Sequence, residues 1–478
     1  FTAFNNYAGS TANSWSVQAS ESTTNKWNNN SSTLLATEVS GVGDVFMLAY
    51  DVDAGKVWFG RNGTWYSSGD PAAGTNAAFT NLTGTLGVVV SSISTTSAIA
   101  VNCGQRPFAY TPPTGFNRLN TFNLPTPTIG ATASTTANKY FDTTLYTGNG
   151  TSQSIVNSGS MQPDLVWEKR RDAAQTFSNG IIDSVRGRAY SLVTNLTIAD
   201  QTSTSTNDLT SFNSNGFSIG PSNNLSINDN GGTYVAWQWR ASNATAVTNT
   251  AGTITSTVSA NTTAGFSILT YTGTGANATV GHGLGVAPAM FIVKRRNAGT
   301  NNWLVYHQSI GGTGALYLNT TEATQTFSDI WNNTAPTSTV FSIGTTDNAN
   351  QSTGTYVAYC FAPVAGYSAF GSYTGNGSSD GTFVHLGFRP RFILVKRTDT
   401  SGFNWRITDT SRSTYNKTVG MLEPSSSAAE YTDSGNQDFD ILSNGFKIRN
   451  DTPGLNGSGG TIVYMAFCES PFKFSNAR

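Results

Sequence analysis

The chain has 478 residues, enough for three or four domains of ordinary size, and 26 Lys+Arg against 27 Asp+Glu give a net charge of −1, which offers no electrostatic case for nucleic-acid binding. Charged residues are 11% of the chain, against roughly 25% in an average globular protein, but 12% aromatic residues argue against disorder. No stretch reaches the about 18 apolar residues of a membrane-spanning helix, and Cys103, Cys360 and Cys468 form neither a disulfide framework nor a CxxC site, which fits assembly in a reducing cytoplasm.

The opening residues Phe1-Thr2-Ala3-Phe4-Asn5-Asn6 have neither the basic region nor the apolar core of a signal peptide, and no initiator Met. The chain is read as starting inside a domain, with natural sequence expected upstream. A first domain is placed at 1–122. Its clearest part is 44–66, where apolar strands flank Asn62-Gly63. Asn-Gly tolerates positive φ at both central positions of a tight hairpin. A second turn is expected at 51–55, giving three successive antiparallel strands. A linker at 123–138 carries Pro125 and Pro127 and is expected to be extended.

Three repeats follow, at 139–243, 264–364 and 365–478, with a second Thr/Ser/Ala-rich linker at 244–263. Tyr146-Thr147-Gly148-Asn149-Gly150 recurs as Tyr271-Thr272-Gly273-Thr274-Gly275 and Tyr373-Thr374-Gly375-Asn376-Gly377. Each copy precedes a proline-led apolar run with a basic end, at Pro163–Arg170, Pro288–Arg295 and Pro390–Arg397. Both motifs recur at the same offsets, 125 and then 102 residues. The apolar run suits a central strand covered on both faces, its basic end emerging into solvent. A strand ending near Asp183, His307 or Asp409 follows, then a Phe-centred strand at Phe217, Phe341 or Phe446. A closing strand contains Trp237, Tyr359 or Met465. Five to seven strands in roughly 100 residues have the rhythm of a β-sandwich, and no segment keeps a helical period. The expected fold class is all-β: tandem β-sandwich domains, each folding locally, strung into an extended rod.

The first domain resembles the SPRY family, a concanavalin-like bent sandwich. The resemblance lies in 44–66 and in Val101-Asn102-Cys103-Gly104-Gln105-Arg106-Pro107-Phe108, similar to that family's closing strand. Upstream strands are not evident before Trp15, as in a truncated start. The whole arrangement, with its ending Pro471-Phe472-Lys473-Phe474-Ser475-Asn476-Ala477-Arg478, resembles large proteins of marine tailed bacteriophages that carry a SPRY-like domain followed by such repeats. The resemblance covers most of the chain. It implies a virion protein exposed on the particle surface, a tail fibre or other appendage. Its expected partners are other virion proteins, further copies of itself (a homotrimer is the family-level expectation) and a host surface glycan or protein, with no nucleic acid and no membrane insertion. It transfers no catalytic residue.

The residues themselves suggest neither catalysis nor a metal or cofactor. His282, His307 and His385 lack ligand spacing and a nearby Cys. Gly281-His282-Gly283-Leu284-Gly285 precedes a β run and lacks the Gly-Lys-Ser/Thr element of a phosphate loop, so it reads as a turn. Asp183, Asp399 and Asp409 could serve glycoside hydrolysis, but no pair recurs across the repeats. Lys169-Arg170, Lys294-Arg295 and Lys396-Arg397 are candidate contacts for an anionic polymer; the preferred reading pairs them with local acids such as Glu168, Asp172 and Asp399. Trp303 and Trp405, each nine residues after the Lys, are candidate sugar platforms, although strand aromatics are usually core. Asp183, His307 and Asp409 occupy one position of the repeat and differ, which makes them candidate ligand contacts. A capsid decoration or head fibre, a carbohydrate-binding adhesin and a depolymerase are the rival readings.

Overall fold

The computed structural model describes residues 11–20, 22–84, 86–90, 98–120, 123–175, 179–432 and 438–474. Strand is their main regular structure, arranged in several antiparallel sheets. The chain divides into two compact units, Phe1–Pro125 and Thr126–Arg478.

In the first unit, Phe46–Asp51 pairs with Lys56–Arg61, and Lys56–Arg61 with Thr64–Trp65. Asn62 and Gly63 have φ of 49° and 90°, the left-handed pair a two-residue hairpin needs. A second sheet orders Trp15–Ala19, Thr23–Asn28 and Ser31–Thr37. Val57 and Phe59 pack on Ala78 and Leu82. The closing strand expected at 101–108 is instead a turn. Asn102 Oδ1 accepts from the Gly104 and Arg106 N–H groups, so a side chain takes the donors that a strand ladder would use. Residues 1–10, where the truncated start was expected, lie outside the described residues.

In the second unit each repeat is two facing layers. Repeat one has a six-stranded sheet containing Phe141–Thr147, Leu165–Arg170, Asn179–Asp183 and Thr233–Trp239. A three-stranded sheet of Gln153–Val156, Leu209–Asn213 and Gly216–Ile219 faces it. Ile155 and Phe217 of the small sheet meet Val166 and Ile182 of the large one. In repeat two Val280 and Phe341 meet Leu269, Val293 and Ala358 in the same way. Successive strand residues point to opposite faces. Trp167 and Trp237, Ile292 and Tyr359, and Leu394 and Phe467 therefore lie on the other side of their sheets. There they fuse into one core shared by all three repeats. Phe141, Trp239, Phe266, Phe361, Phe392 and Phe467 interlock at its centre, with ring centroids 4.9–6.4 Å apart.

This corrects the expected rod of locally folding units. The central strands are buried on both faces because the second face is covered by the other repeats. The stretch 244–263 is also no bare linker. Val247–Asn249 and Ser256–Asn261 pair with each other, and Ser256–Asn261 pairs with the opening strand Phe266–Thr272, widening the sheet of repeat two to eight strands. Ile254, Ser256 and Val258 point inward and Thr255 and Thr257 outward. This two-residue alternation is hidden by the Thr/Ser/Ala composition.

Candidate functional site

The recurrent Tyr-Thr-Gly turn is held by a buried asparagine far along the chain. Asn228 Oδ1 accepts from the Asn149 N–H (2.9 Å), Asn350 Oδ1 from Thr274 (2.8 Å) and Asn456 Oδ1 from Asn376 (3.0 Å). Each Asn amide donates to two loop carbonyls, Thr151 and Gly220, Ala276 and Gly344, and Ser378 and Asn450. The motif tyrosines Tyr146, Tyr271 and Tyr373 donate to the carbonyl just before that Asn, at Ile227, Ala349 and Leu455. A Cβ on Gly148, Gly273 or Gly375 would sit 2.3, 2.4 or 2.3 Å from a backbone oxygen, so the first glycine of the motif is sterically required. The opening motif is therefore a structural clasp.

The position occupied by Asp183, His307 and Asp409 is buried in all three repeats, and each residue touches the next repeat around a closed, head-to-tail ring. Asp183 accepts from the Tyr359 hydroxyl of repeat two (2.8 Å). Asp409 accepts from the Trp237 indole N–H of repeat one (3.0 Å). His307 Nε2 donates to the Tyr464 carbonyl of repeat three (3.1 Å), while its Nδ1 accepts from the Ser309 N–H (3.2 Å). These two bonds fix the neutral tautomer, and burial lowers the His307 pKa to about 4.

Around each residue the neighbours change as a set. At the joint between repeats one and two, Arg186 bridges Asp183 (2.6 Å) and Asp200 (2.7 Å), and Arg296 of repeat two pairs with Asp200 (2.8 Å). Between repeats three and one, Arg412 bridges Asp409 (2.6 Å) and Glu430 (2.7 Å), and Arg171 of repeat one pairs with Glu430 (2.8 Å). Burial pulls the Arg186 pKa down, but Asp183, Tyr359 and Asp200 outweigh it and the pKa is raised. Between repeats two and three the counterparts are His307, Ile310, Thr324, Thr398 and Met465, and no charge is buried among them. The backbone bond is kept throughout: Asp200, Thr324 and Glu430 donate their N–H groups to Arg296, Thr398 and Arg171 carbonyls, each at 2.8 Å. Removing a whole ionic set avoids the uncompensated charge that removing one member would leave.

The remaining candidates are placed as follows. Trp303 and Trp405 are buried and donate indole N–H groups across the ring, Trp303 to Val193 and Leu196 carbonyls and Trp405 to Tyr317. They are joint residues, and the sugar-platform reading is corrected. Lys169, Lys294 and Lys396 do not emerge into solvent as expected; their strands enter the shared core, and burial lowers all three pKa values to about 8. Lys169 Nζ donates to the Ser426 carbonyl and Lys294 Nζ to Thr197, again between repeats, whereas Lys396 Nζ caps Arg397. Arg170 pairs with Asp172 and Asp229, and Arg397 with Asp399. Arg295 finds the Asn297 amide oxygen where the others find Asp. Glu168, expected as a partner of this doublet, is instead buried in the sandwich core. Burial raises its pKa well above the usual range, and its carboxyl lies 3.0 Å from the Tyr146 hydroxyl, whose own hydrogen goes to the Ile227 carbonyl. His282 Nδ1 accepts from the Leu284 N–H inside its turn and Nε2 donates to the Thr337 carbonyl, 55 residues on, and Gly283 and Gly285 adopt φ of 73° and 75°.

Asp183, His307, Asp409, Trp303, Trp405, Lys169 and Lys294 thus come together at joints rather than at an open cleft, while Lys396, Arg170, Arg295 and Arg397 bond within their own repeats. Among the described residues no group of three or more His, Cys, Asp or Glu is arranged to hold a metal ion, and no helix is long and apolar enough to cross a membrane. Open concave surface lies instead over the widened sheet of repeat two, where cavities of about 420 and 380 Å³ adjoin at Thr257. The Asn clasp, the ionic sets and this surface were all missed from sequence. The clasp alone left a signal, an Asn at the matching place in each copy.

No curated protein and no solved structure matches the chain. The family described as Domain of unknown function (DUF7483) matches residues 136–471, which span all three repeats and their joints. The chain therefore belongs to the DUF7483 family.

Proposed function

We propose that this chain is a non-enzymatic structural protein of a tailed-bacteriophage particle, a tail fibre or surface appendage in contact with the host surface. The first unit is taken to be SPRY-like and the repeats to be homologous β-sandwiches. The observation that carries the reading is the closed ring. Three repeats spend their polar departures on binding one another, so that the chain holds within itself the threefold arrangement expected of an appendage. A heterologous contact that closes gives a ring and one that does not gives a filament; here it closes within one polypeptide. Asp183, Asp409 and Asp399, the carboxylates considered for hydrolysis, are each engaged by an arginine, which supports a structural role. Mass spectrometry of purified particles tests the proposal: peptides from this chain are expected, and their absence would overturn it. Immunogold labelling locates the protein, and label on heads with none on tails would replace the tail reading with a capsid-decoration one.

A further inference from the structure

We infer that repeat two carries a binding trough for an extended, neutral or weakly acidic oligosaccharide on its widened sheet, on the face that carries Phe266 and Ile268 into the shared core but beyond the edge of that core. This deepens the host-contact part of the function proposed above and rests on it only for the source of the glycan. Strand pairing places Thr257 opposite Thr270 and Thr272 opposite Thr355, and Thr255 follows next to the Ser256–Tyr271 pair. Adjacent strands lie about 4.8 Å apart and alternate residues about 7 Å, so the five hydroxyls form a grid on the scale of sugar rings. Their Oγ1 atoms make no hydrogen bond to protein among the described residues, and Thr255, Thr257 and Thr272 are exposed.

Threonine is common on exposed strand faces, but this face is concave. A cavity of about 420 Å³ covers the grid and a second of about 380 Å³, reaching Ser184 and Val185 of repeat one, continues from Thr257. Both lie open at the surface, so end to end they suit an extended chain lying along the face rather than a single enclosed ring. A lining of hydroxyls, each both donor and acceptor, matches a polyhydroxylated ligand better than an apolar one. The cation at one end, Arg296, is already paired with Asp200 (2.8 Å), so a strongly anionic ligand is not required. The threonine grid lies on repeat two, where, among the described residues, added strands extend the sheet beyond the opening strand, as they do in neither sister repeat.

The test is retention of the full chain on immobilised bacterial oligosaccharides, neutral and uronate-containing, long enough to span both cavities. Binding to at least one is expected. The combined change Thr255→Val, Thr257→Val and Thr272→Val keeps shape and strand preference, and should weaken binding about tenfold or more through the lost hydrogen bonds. The same positions changed to Ser should keep it. The control Thr147→Val with Thr374→Val, at the matching places in repeats one and three, should leave it unchanged. No retention on any oligosaccharide, or equal loss in triple variant and control at unchanged melting temperature, overturns the inference. Binding by a chain that is absent from purified particles would sink the particle reading and leave the trough standing.

Discussion

His307 shows how much of a side chain's meaning depends on what it faces. Its pKa is about 4 in the fold because burial disfavours the cation, against about 6.5 in an unfolded chain. The unfolded state therefore binds a proton first as pH falls. Stability is expected to drop between about pH 6.5 and about pH 4, by up to about 3 kcal/mol from this group. Urea denaturation of the native chain and His307→Gln across that window should isolate the effect; parallel loss in both would show that His307 is not the buried neutral group described. The charged joints behave oppositely. Arg186→Met would strand Asp183 beside Tyr359, and a broken buried pair costs about 3–5 kcal/mol. Placing charge in the uncharged joint should also harm it, but Ile310→Arg combined with His307→Asp should cost less than the two single changes together. A double-mutant cycle reads that coupling, and strict additivity would refute the matched-set account.

At the scale of elements the clasp matters more than the turn it holds. Asn350→Ala would leave the Thr274 N–H and the Ala276 and Gly344 carbonyls without the partner they share. With about 1–3 kcal/mol per stranded buried group, a loss of about 3 kcal/mol or more is expected in thermal or denaturant unfolding. An effect below about 1 kcal/mol would mean that the loop re-pairs. The turn was legible in sequence because Gly and Asn are local signals, and so were the apolar run and the Asn62-Gly63 hairpin. The clasp was not, because Asn350 lies 76 residues from the Thr274 N–H it accepts, and an Asn that recurs in each copy does not say what it bonds. The sandwich face of each central strand could be read from its apolar run. That its opposite face meets other repeats could not, since an apolar run reads the same whatever covers it. Lys169, Lys294 and Lys396 misled for the same reason: a basic residue ending a strand suggests solvent, whereas Lys169 and Lys294 reach carbonyls of a neighbouring repeat and Lys396 turns back to the Arg397 carbonyl. Thr255 and Thr257 were taken for linker because composition outweighed an alternation only a few residues long.

For the whole molecule the question is whether three similar repeats behave as three folding units or one. Independent sandwiches would each retain a core when a neighbour melted. Here Trp237, Tyr359 and Phe467 lie in one continuous core, and each joint adds bonds whose partners sit in different repeats. Losing one repeat would expose the second face of the central strands in both others, and apolar area costs about 25 cal/mol per Å² returned to water. Calorimetry of the full chain is therefore expected to give one cooperative transition for Thr126–Arg478, with calorimetric and van't Hoff enthalpies in agreement. Arg186→Met, confined to the joint of repeats one and two, should move that whole transition downward. The counter-result is equally plain: several resolvable transitions, of which only those of repeats one and two respond, would return the molecule to a string of separate sandwiches. It would also remove the closed ring from the case for an appendage, because a ring that opens at each joint is a rod with contacts.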